Sequence, residues 1–506
     1  MVPDIASTND PMDDPMDDPS SADRGEGARG AAPEAAGGEA SPAAAAAPWL
    51  ARWLDGRREA MVRLLEALVN RDSPSDHKPS LDEVATFLEG ELTRRGAWVE
   101  RVRQREAGDH LIARFFPAEG ADPAGGRDPA ATRDPGGAAA AGDPDDGTAA
   151  GRQQAPAAGR RGVLLLGHYD TVWPPGEAAR RPFRREGARG YGPGAFDMKG
   201  GIVIALAALD ALAALARAQA ARATAAGAAE AGSAGAAGGT AVVPSPVTLL
   251  LTADEETGSR TSRALIEALA RQHQAVLVLE PAAGDRLKTA RKGVGDFRLV
   301  VEGREAHAGN DPGRGVSAVE ELARQVLRLH ALTDPGRGTT VNVGVVRGGL
   351  RPNVVAGRAE AAVDVRVPSM AEARRLEELF RRWEPVHPAA RVRLLGSFSR
   401  PPMEFTPANR ALFRRAQAVG SWLGMTVEGA AVGGASDGNF TSALGIPTLD
   451  GLGAVGDGAH APDEHVDLDA LPRRAALLAA LVLDLGVRPL DDPSGDPGGD
   501  GKAVAP

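Results

Sequence analysis

The sequence predicts an α/β fold built on a mixed, largely parallel sheet, with a smaller α+β unit inserted in it. Three observations carry that expectation. Short, fully apolar runs alternate with helical patterns from residue 50 to about 280, the rhythm of a sheet covered on both faces. After Lys292 the runs give way to strict alternation of apolar and polar residues, as in strands with one exposed face. The first texture returns near Asn409 and continues to about Gly486, so the second unit interrupts the first.

Taken in order, residues 1–47 are rich in Ala, Gly, Pro and Asp without periodic apolar positions, and such a segment cannot offset the entropy of ordering. It is expected to be a disordered acidic tail. The first part of the large unit, 48–291, should hold helices at 50–70 and 80–96, strands at 110–116 and 163–167, a helix at 199–217, a strand at 247–252, a helix at 261–271 and a strand at 275–279. Ala/Gly-rich stretches at 118–160 and 218–245 read as low-complexity insertions. In the inserted unit, 292–403, "GDFRLVVEG", "TTVNVGVVRGG" and "GRAEAAVDVRV" are strand patterns, with helical patterns at 316–331 and 370–383. Residues 404–488 complete the large unit and 489–506 form a second disordered tail.

Composition narrows the chemistry. With 43% hydrophobic and 25% charged residues the chain is ordinary for a globular protein. It has no cysteine, which removes disulfides, thiolate ligands and a cysteine nucleophile and leaves only His, Asp and Glu to hold a metal. Of the formal charge of -10, residues 1–48 contribute -8 through ten acidic and two basic residues. The remainder is near neutral, with no basic stripe for nucleic acid and no handle for anionic lipid. The first twenty residues lack a positive n-region and an apolar stretch, so no secretory signal is read and the cytoplasm is expected. "GGIVIALAALDALAALA", from Gly200, is broken by Asp210, falls short of the roughly 20 residues a bilayer requires, and is expected to be a core helix.

The candidate site lies where apolar strands end in charge. "LLLGHYD" finishes in His168 and Asp170, "LLLTADEETGS" in Asp254, Glu255 and Glu256, and "AVLVLEP" in Glu280. "YGPGAFDMKGG" puts Asp197 after a glycine-rich turn at the mouth of the long helix, and "GDGAHAPDEH" puts His460 in a late glycine-rich loop. Each has an ordinary explanation: a capping or hydrogen-bonding role for His168 and Asp170, a helix cap for Asp197, solvated charge for the rest. Strand ends in open α/β sheets are nevertheless where ligands collect. Oxygen and nitrogen donors converging there suit two divalent ions bridged by one carboxylate, which together activate a water.

At this point the sequence resembles the di-zinc carboxypeptidase and aminoacylase family that includes glutamate carboxypeptidase, acetylornithine deacetylase and succinyl-diaminopimelate desuccinylase. The resemblance spans nearly all of residues 50–488 and is strongest to the glutamate carboxypeptidase branch, through "PFRREGARGYGPGAFDMKGG", "DEETGS", "VLEP" and "REAHAG". It implies a zinc-exopeptidase-like catalytic domain with an inserted lid or dimerisation domain. It further implies His168, Asp197 and Glu280 around one zinc and Asp197, Glu256 and His460 around the other, with Asp197 as the bridge and Co2+ or Mn2+ as possible replacements. Asp170 would orient His168, and Glu255 would take a proton from the bridging water. A non-proline cis peptide after Asp197 belongs to the same pattern. In the inserted domain, His307 matches a histidine that reaches a partner's active site in a homodimer and stabilises the oxyanion. Asn353 and Arg366 match positions that hold a substrate carboxylate, and Gly433 opens "GGASDGN", a match to a substrate loop. Without the resemblance, His307 is an exposed loop histidine and Arg366 a surface strand arginine. The two low-complexity stretches are longer than the family requires and the acidic tail is extra.

The implied function is metal-dependent hydrolysis of an amide next to a free carboxylate, in a small peptide or an N-acyl amino acid. A carboxypeptidase releasing an amino acid such as glutamate and an N-acyl amino acid deacylase share this machinery. A non-catalytic metal-binding protein on the same scaffold would typically have lost a ligand or the base. A two-metal phosphoesterase would want basic residues around a phosphate, and Lys199 alone lies in the motifs.

Overall fold

The computed structural model describes residues 41–117, 162–230 and 244–490. At its centre is a six-stranded sheet in the order Trp98–Val102, His110–Phe115, Val247–Thr252, Val163–His168, Ala275–Val278, Thr448–Leu449. The first three strands pair antiparallel; Val163–His168 runs parallel to both its neighbours, and Thr448–Leu449 is parallel to Ala275–Val278. The sheet is mixed and its middle is parallel, as the unbroken apolar runs require. In Val163–His168, Leu165 packs into the core beneath the helices Gly200–Glu230 and Ala470–Val487, while Leu164 and Leu166 face the opposite way, among Ile266, Leu269 and Phe440. Both faces being covered, no polar alternation survives.

The inserted domain is a four-stranded antiparallel sheet in the order Thr340–Gly348, Arg358–Val367, Gly293–Glu302, Arg391–Arg400. Here alternation holds: Phe297, Leu299 and Val301 pack toward the helices Ala318–His330 and Met370–Arg381. Ser317 and Ser369 cap those helices by accepting the N–H of Glu320 and Glu372, three residues on in each case.

Four expectations change. The helix expected at 50–70 is two helices, Pro42–Asp55 and Arg58–Val69, parted at Gly56. The acidic tail accordingly ends before Pro42: an alanine run that looks like low complexity is a good helix former and buries Ala43, Ala46, Ala47, Leu50 and Leu54. The long helix continues to Glu230 and takes in part of the stretch 218–245, because the same composition favours the helix. Over Ala195–Thr224 it is long and apolar enough by composition to cross a bilayer, but 67% of its most apolar window is buried and it packs beside Ala470–Val487 as a core helix. Finally, Trp98–Val102 and Arg391–Arg400 were not anticipated. Both are edge strands carrying arginines, the polar marking that protects a sheet edge and weakens its signal. Residues 1–40, 118–161, 231–243 and 491–506 lie outside the described residues, and with them most of both tails and of both insertions.

Candidate metal centre and active site

Three neighbouring parallel strands deliver their carboxyl ends to one place. Val163–His168 brings His168 and Asp170, Val247–Thr252 brings Glu255 and Glu256, and Ala275–Val278 brings Glu280. Asp197 comes from the turn before the long helix, where Gly201 allows a close approach: a Cβ there would stand 2.0 Å from the carbonyl oxygen of Leu279, next to Glu280. The Asp197–Met198 peptide is cis. His460 arrives from its loop with φ 61°, the left-handed region that non-glycine residues seldom adopt outside constrained sites.

The distances bring all five predicted metal ligands together. His168 Nε2 is 3.4 Å from Asp197 Oδ1 and 3.3 Å from Glu280 Oε1. On the other side, His460 Nε2 is 3.4 Å from Asp197 Oδ2 and 3.1 Å from Glu256 Oε1. Asp197 thus turns one oxygen to each histidine. Two triads could each hold a cation, with donor atoms within 4.8 Å of one another: His168, Asp197 and Glu256, and His168, Glu255 and Glu280. The second contains Glu255 where the sequence suggested Asp197. Glu255, however, already faces a cation, Arg400, at 3.0 Å, whereas His168 Nε2 and Asp197 Oδ1 are buried without a hydrogen-bond partner. Buried polar atoms are seldom left so, and a divalent ion satisfies both; the donor set, all imidazole and carboxylate, fits one.

The electrostatics point the same way. Burial pushes the Asp197 carboxyl up, but the imidazoles of His168 and His460 outweigh it and hold the carboxyl far below its usual range. Asp197 and Glu256 hold the His460 imidazolium up to about 10. Burial pushes Glu255 well above the ordinary carboxylate range, against the pull of Arg400.

Asp170 works on two sides. His168 Nδ1 lies 3.0 Å from the Asp170 backbone oxygen, which fixes Nε2 as the nitrogen facing the cluster. The Asp170 carboxylate accepts the N–H groups of Glu255 and Glu256, each at 3.2 Å, and the Ser75 hydroxyl at 2.7 Å. The three consecutive acids part company: Asp254 accepts from the N–H and hydroxyl of Thr261, Glu255 meets Arg400 and Glu256 meets His460.

Comparison with known proteins points to a family. Residues 164–244 match the model of Peptidase family M20/M25/M40, and residues 289–387 that of the Peptidase dimerisation domain. Carboxypeptidase G2 of Pseudomonas sp. (strain RS-16) is 29% identical over 440 residues, covering 84% of this chain and 89% of that one. Both of its units thus resemble peptidase family M20. An acetylornithine deacetylase of Pectobacterium carotovorum is 26% identical, over 64% of this chain and 80% of its own. A solved tripeptidase from Staphylococcus aureus, 17% identical, shares the fold with a TM-score of 0.61, covering 85% of this chain and 99% of its own. The chain is accordingly an enzyme of the metallopeptidase and amidohydrolase type, and its cofactor is a divalent metal ion.

The remaining predicted residues lie elsewhere. His307 pairs with Val354, and Ala308 N–H donates to the Asn353 carbonyl at 3.0 Å, so the His307 and Asn353 loops form one unit. His307 Nδ1 accepts the N–H of Gly309 and Asn310 at 3.2 and 3.0 Å, leaving Nε2 as an exposed donor. Arg366 is held by Asp364 through Nε and Nη2 at 2.9 Å. Among the described residues, no hydrogen bond or ion pair joins these three to the His168 cluster. Gly433 stands open, with nothing within 4 Å of a Cβ built on it.

Sequence reasoning missed Glu464, Arg291 and Arg400. Glu464 is 1% exposed, and its carboxylate accepts the N–H of Gly194, Phe196 and Asp197 at 2.8, 2.9 and 3.0 Å and that of the Trp173 indole at 2.9 Å. It ties the His460 loop to the turn carrying Asp197. The signal was present, an acid four residues after His460 in "HAPDEH".

Proposed function

We propose that this M20 protein is a carboxypeptidase that hydrolyses an amide next to a free carboxylate and releases a C-terminal amino acid such as glutamate. The observation that carries the reading is Asp197 with one oxygen toward His168 and the other toward His460, and Glu255 beside them facing Arg400. His168, Asp197 and Glu280 would hold one zinc ion, and Asp197, Glu256 and His460 the second; Co2+ or Mn2+ suits the same donors. Such ions, when bound, supply Lewis acidity and lower the pKa of water.

The chain's own residues supply the rest. Glu255, raised by burial, takes the proton of the attacking water and returns it to the leaving nitrogen, a role that favours a carboxyl poised near neutrality. Asp170 fixes the backbone of Glu255 and the orientation of His168 at once. His307, with Nε2–H outward, donates to the developing oxyanion in the site of a second subunit. That homodimer is supported by the dimerisation-domain match and by the strand Thr340–Gly348, an edge strand among the described residues, where Val345 and Val346 are 51% and 58% exposed. Asn353 and Arg366 receive the substrate carboxylate, and the loop from Gly433 leaves room for the substrate backbone.

The deacetylase relative keeps N-acyl amino acids in view as substrates. A panel of C-terminal glutamyl amides and other N-acyl amino acids, assayed with zinc, tests the reading. Fastest turnover on glutamyl compounds supports it, and preference for an N-acetylated basic amino acid replaces it with a deacylase.

A further inference from the structure

The chain passes between the large unit and the inserted domain twice, at Arg291–Gly293 on the way in and at Arg400–Pro402 on the way out. The crossings lie side by side. Arg291 and Met403 exchange N–H to carbonyl hydrogen bonds at 2.9 and 3.0 Å, and Asn439 Nδ2 donates to the carbonyls of Lys292 and Pro401 at 3.1 and 2.7 Å.

Each crossing carries a buried arginine that spans two acids. Arg400, 6% exposed, puts Nη1 3.0 Å from Asp437 Oδ1 and 3.0 Å from Glu255 Oε1. Its Nη2 donates to the Glu255 carbonyl at 2.9 Å and to Ser259 Oγ at 2.8 Å. Arg291, 4% exposed, donates from Nε and Nη2 to Asp450 at 2.7 and 3.0 Å and from Nη2 to Glu280 Oε2 at 3.2 Å. In both cases one acid, Asp437 or Asp450, lies outside the metal centre and the other belongs to it. One acid suffices to balance a buried guanidinium. The second contact fixes a site carboxylate, and the guanidinium's other nitrogens, Arg400 Nη2 on the Glu255 carbonyl and Arg291 Nε on Asp450, hold the bridging nitrogen in place, which the single nitrogen of an ammonium cannot do.

We propose that Arg400 and Arg291 are positioning residues, Arg400 for Glu255 and Arg291 for Glu280, so that the crossings of the inserted domain set the placement of the catalytic carboxylates. The proposal rests on Glu255 as the base and Glu280 as a metal-side carboxylate.

The test compares Arg400→Lys and Arg291→Lys, each retaining charge without the fork, for kcat, KM and bound zinc per subunit, on whichever N-acyl glutamate the wild type hydrolyses. Arg400→Lys should lower kcat about tenfold or more, with KM and zinc content unchanged. Arg291→Lys should instead weaken zinc retention about tenfold and recover turnover at saturating zinc. In a Glu255→Gln background, Arg400→Lys should add less than about twofold, because both changes act through one group. Should the lysine variant fail to fold, Arg400→Gln, uncharged and still able to donate to the Glu255 carbonyl, takes its place with the same expectations. A raised KM at unchanged kcat would make Arg400 a substrate contact. Equal zinc loss in both variants, or full additivity with Glu255→Gln, would reduce both arginines to packing, and either result overturns the proposal. If Glu255→Gln alone keeps wild-type turnover, the base assignment has failed; if it abolishes turnover while Arg400→Lys is unaffected, only the positioning role has.

Discussion

His168 Nε2 and Asp197 Oδ1 face each other at 3.4 Å, both buried and neither hydrogen-bonded. A proton can hold such a pair together, and so can a divalent ion; in the proposed centre the ion is the working state. Chelation should therefore abolish amide hydrolysis, zinc or cobalt should restore it, and the metal-free protein should melt at a lower temperature. Full activity in protein shown to contain no metal would remove the metal-centre reading.

Glu255 and Glu256 are adjacent yet face different partners, Arg400 and His460. Glu255→Gln should keep its bound ions and lose at least about 100-fold in kcat, the lower end of a general-base contribution. Glu256→Gln should lose metal first. Metal analysis of both variants beside their rates checks this, and the reverse pattern would mean that the two roles are exchanged.

Much of the proposed centre was legible in the sequence because each expected ligand ends an apolar strand or sits in a glycine-rich turn, where a charge stands out. His168, Glu255 and Glu280 are conspicuous for that reason. Arg400 and Arg291 were not, since their contacts join residues 145 and 11 positions apart and an arginine on a strand reads as a surface residue. Pro42–Asp55 was hidden differently: its alanines resemble filler until the facing helix Ala470–Val487 shows what they pack against.

The inserted domain has its own acid sensitivity. Hydrogen bonding from Arg375 holds the Glu372 carboxyl down at about 2, against burial and with help from Thr339 and Arg337. A depressed carboxyl stabilises the fold above its unfolded pKa, near 4.5, and that contribution is lost as pH falls toward about 2. Glu372→Gln should lower the melting temperature at pH 7, and its gap from wild type should close between those two values. Melting curves across that range check it; a gap independent of pH would mean that the carboxylate charge contributes nothing.

Arg366 is engaged by Asp364, so a substrate carboxylate must compete with that acid. Arg366→Lys removes the fork and should raise KM for substrates with a free carboxylate while melting behaviour stays intact. An unchanged KM across the panel assigns Arg366 to the sheet surface.

The outward Nε2 of His307 leads to a test of the dimer and the oxyanion role together. If His307 acts in the neighbouring subunit's site, His307→Ala and Glu255→Ala proteins, each inactive alone, should complement when co-expressed. In a mixed dimer the His307→Ala subunit keeps Glu255 and receives His307 from its partner, so one of the two sites is complete. Random pairing makes about half of the dimers mixed, each with one working site, and activity should return to roughly a quarter of wild type. Size-exclusion chromatography and differently tagged subunits establish beforehand that mixed dimers form. Activity in the His307→Ala protein alone would place His307 outside the chemistry, and no recovery from isolated mixed dimers would place it in its own subunit's site, because a histidine serving its own site leaves each subunit of the mixed dimer with one defect.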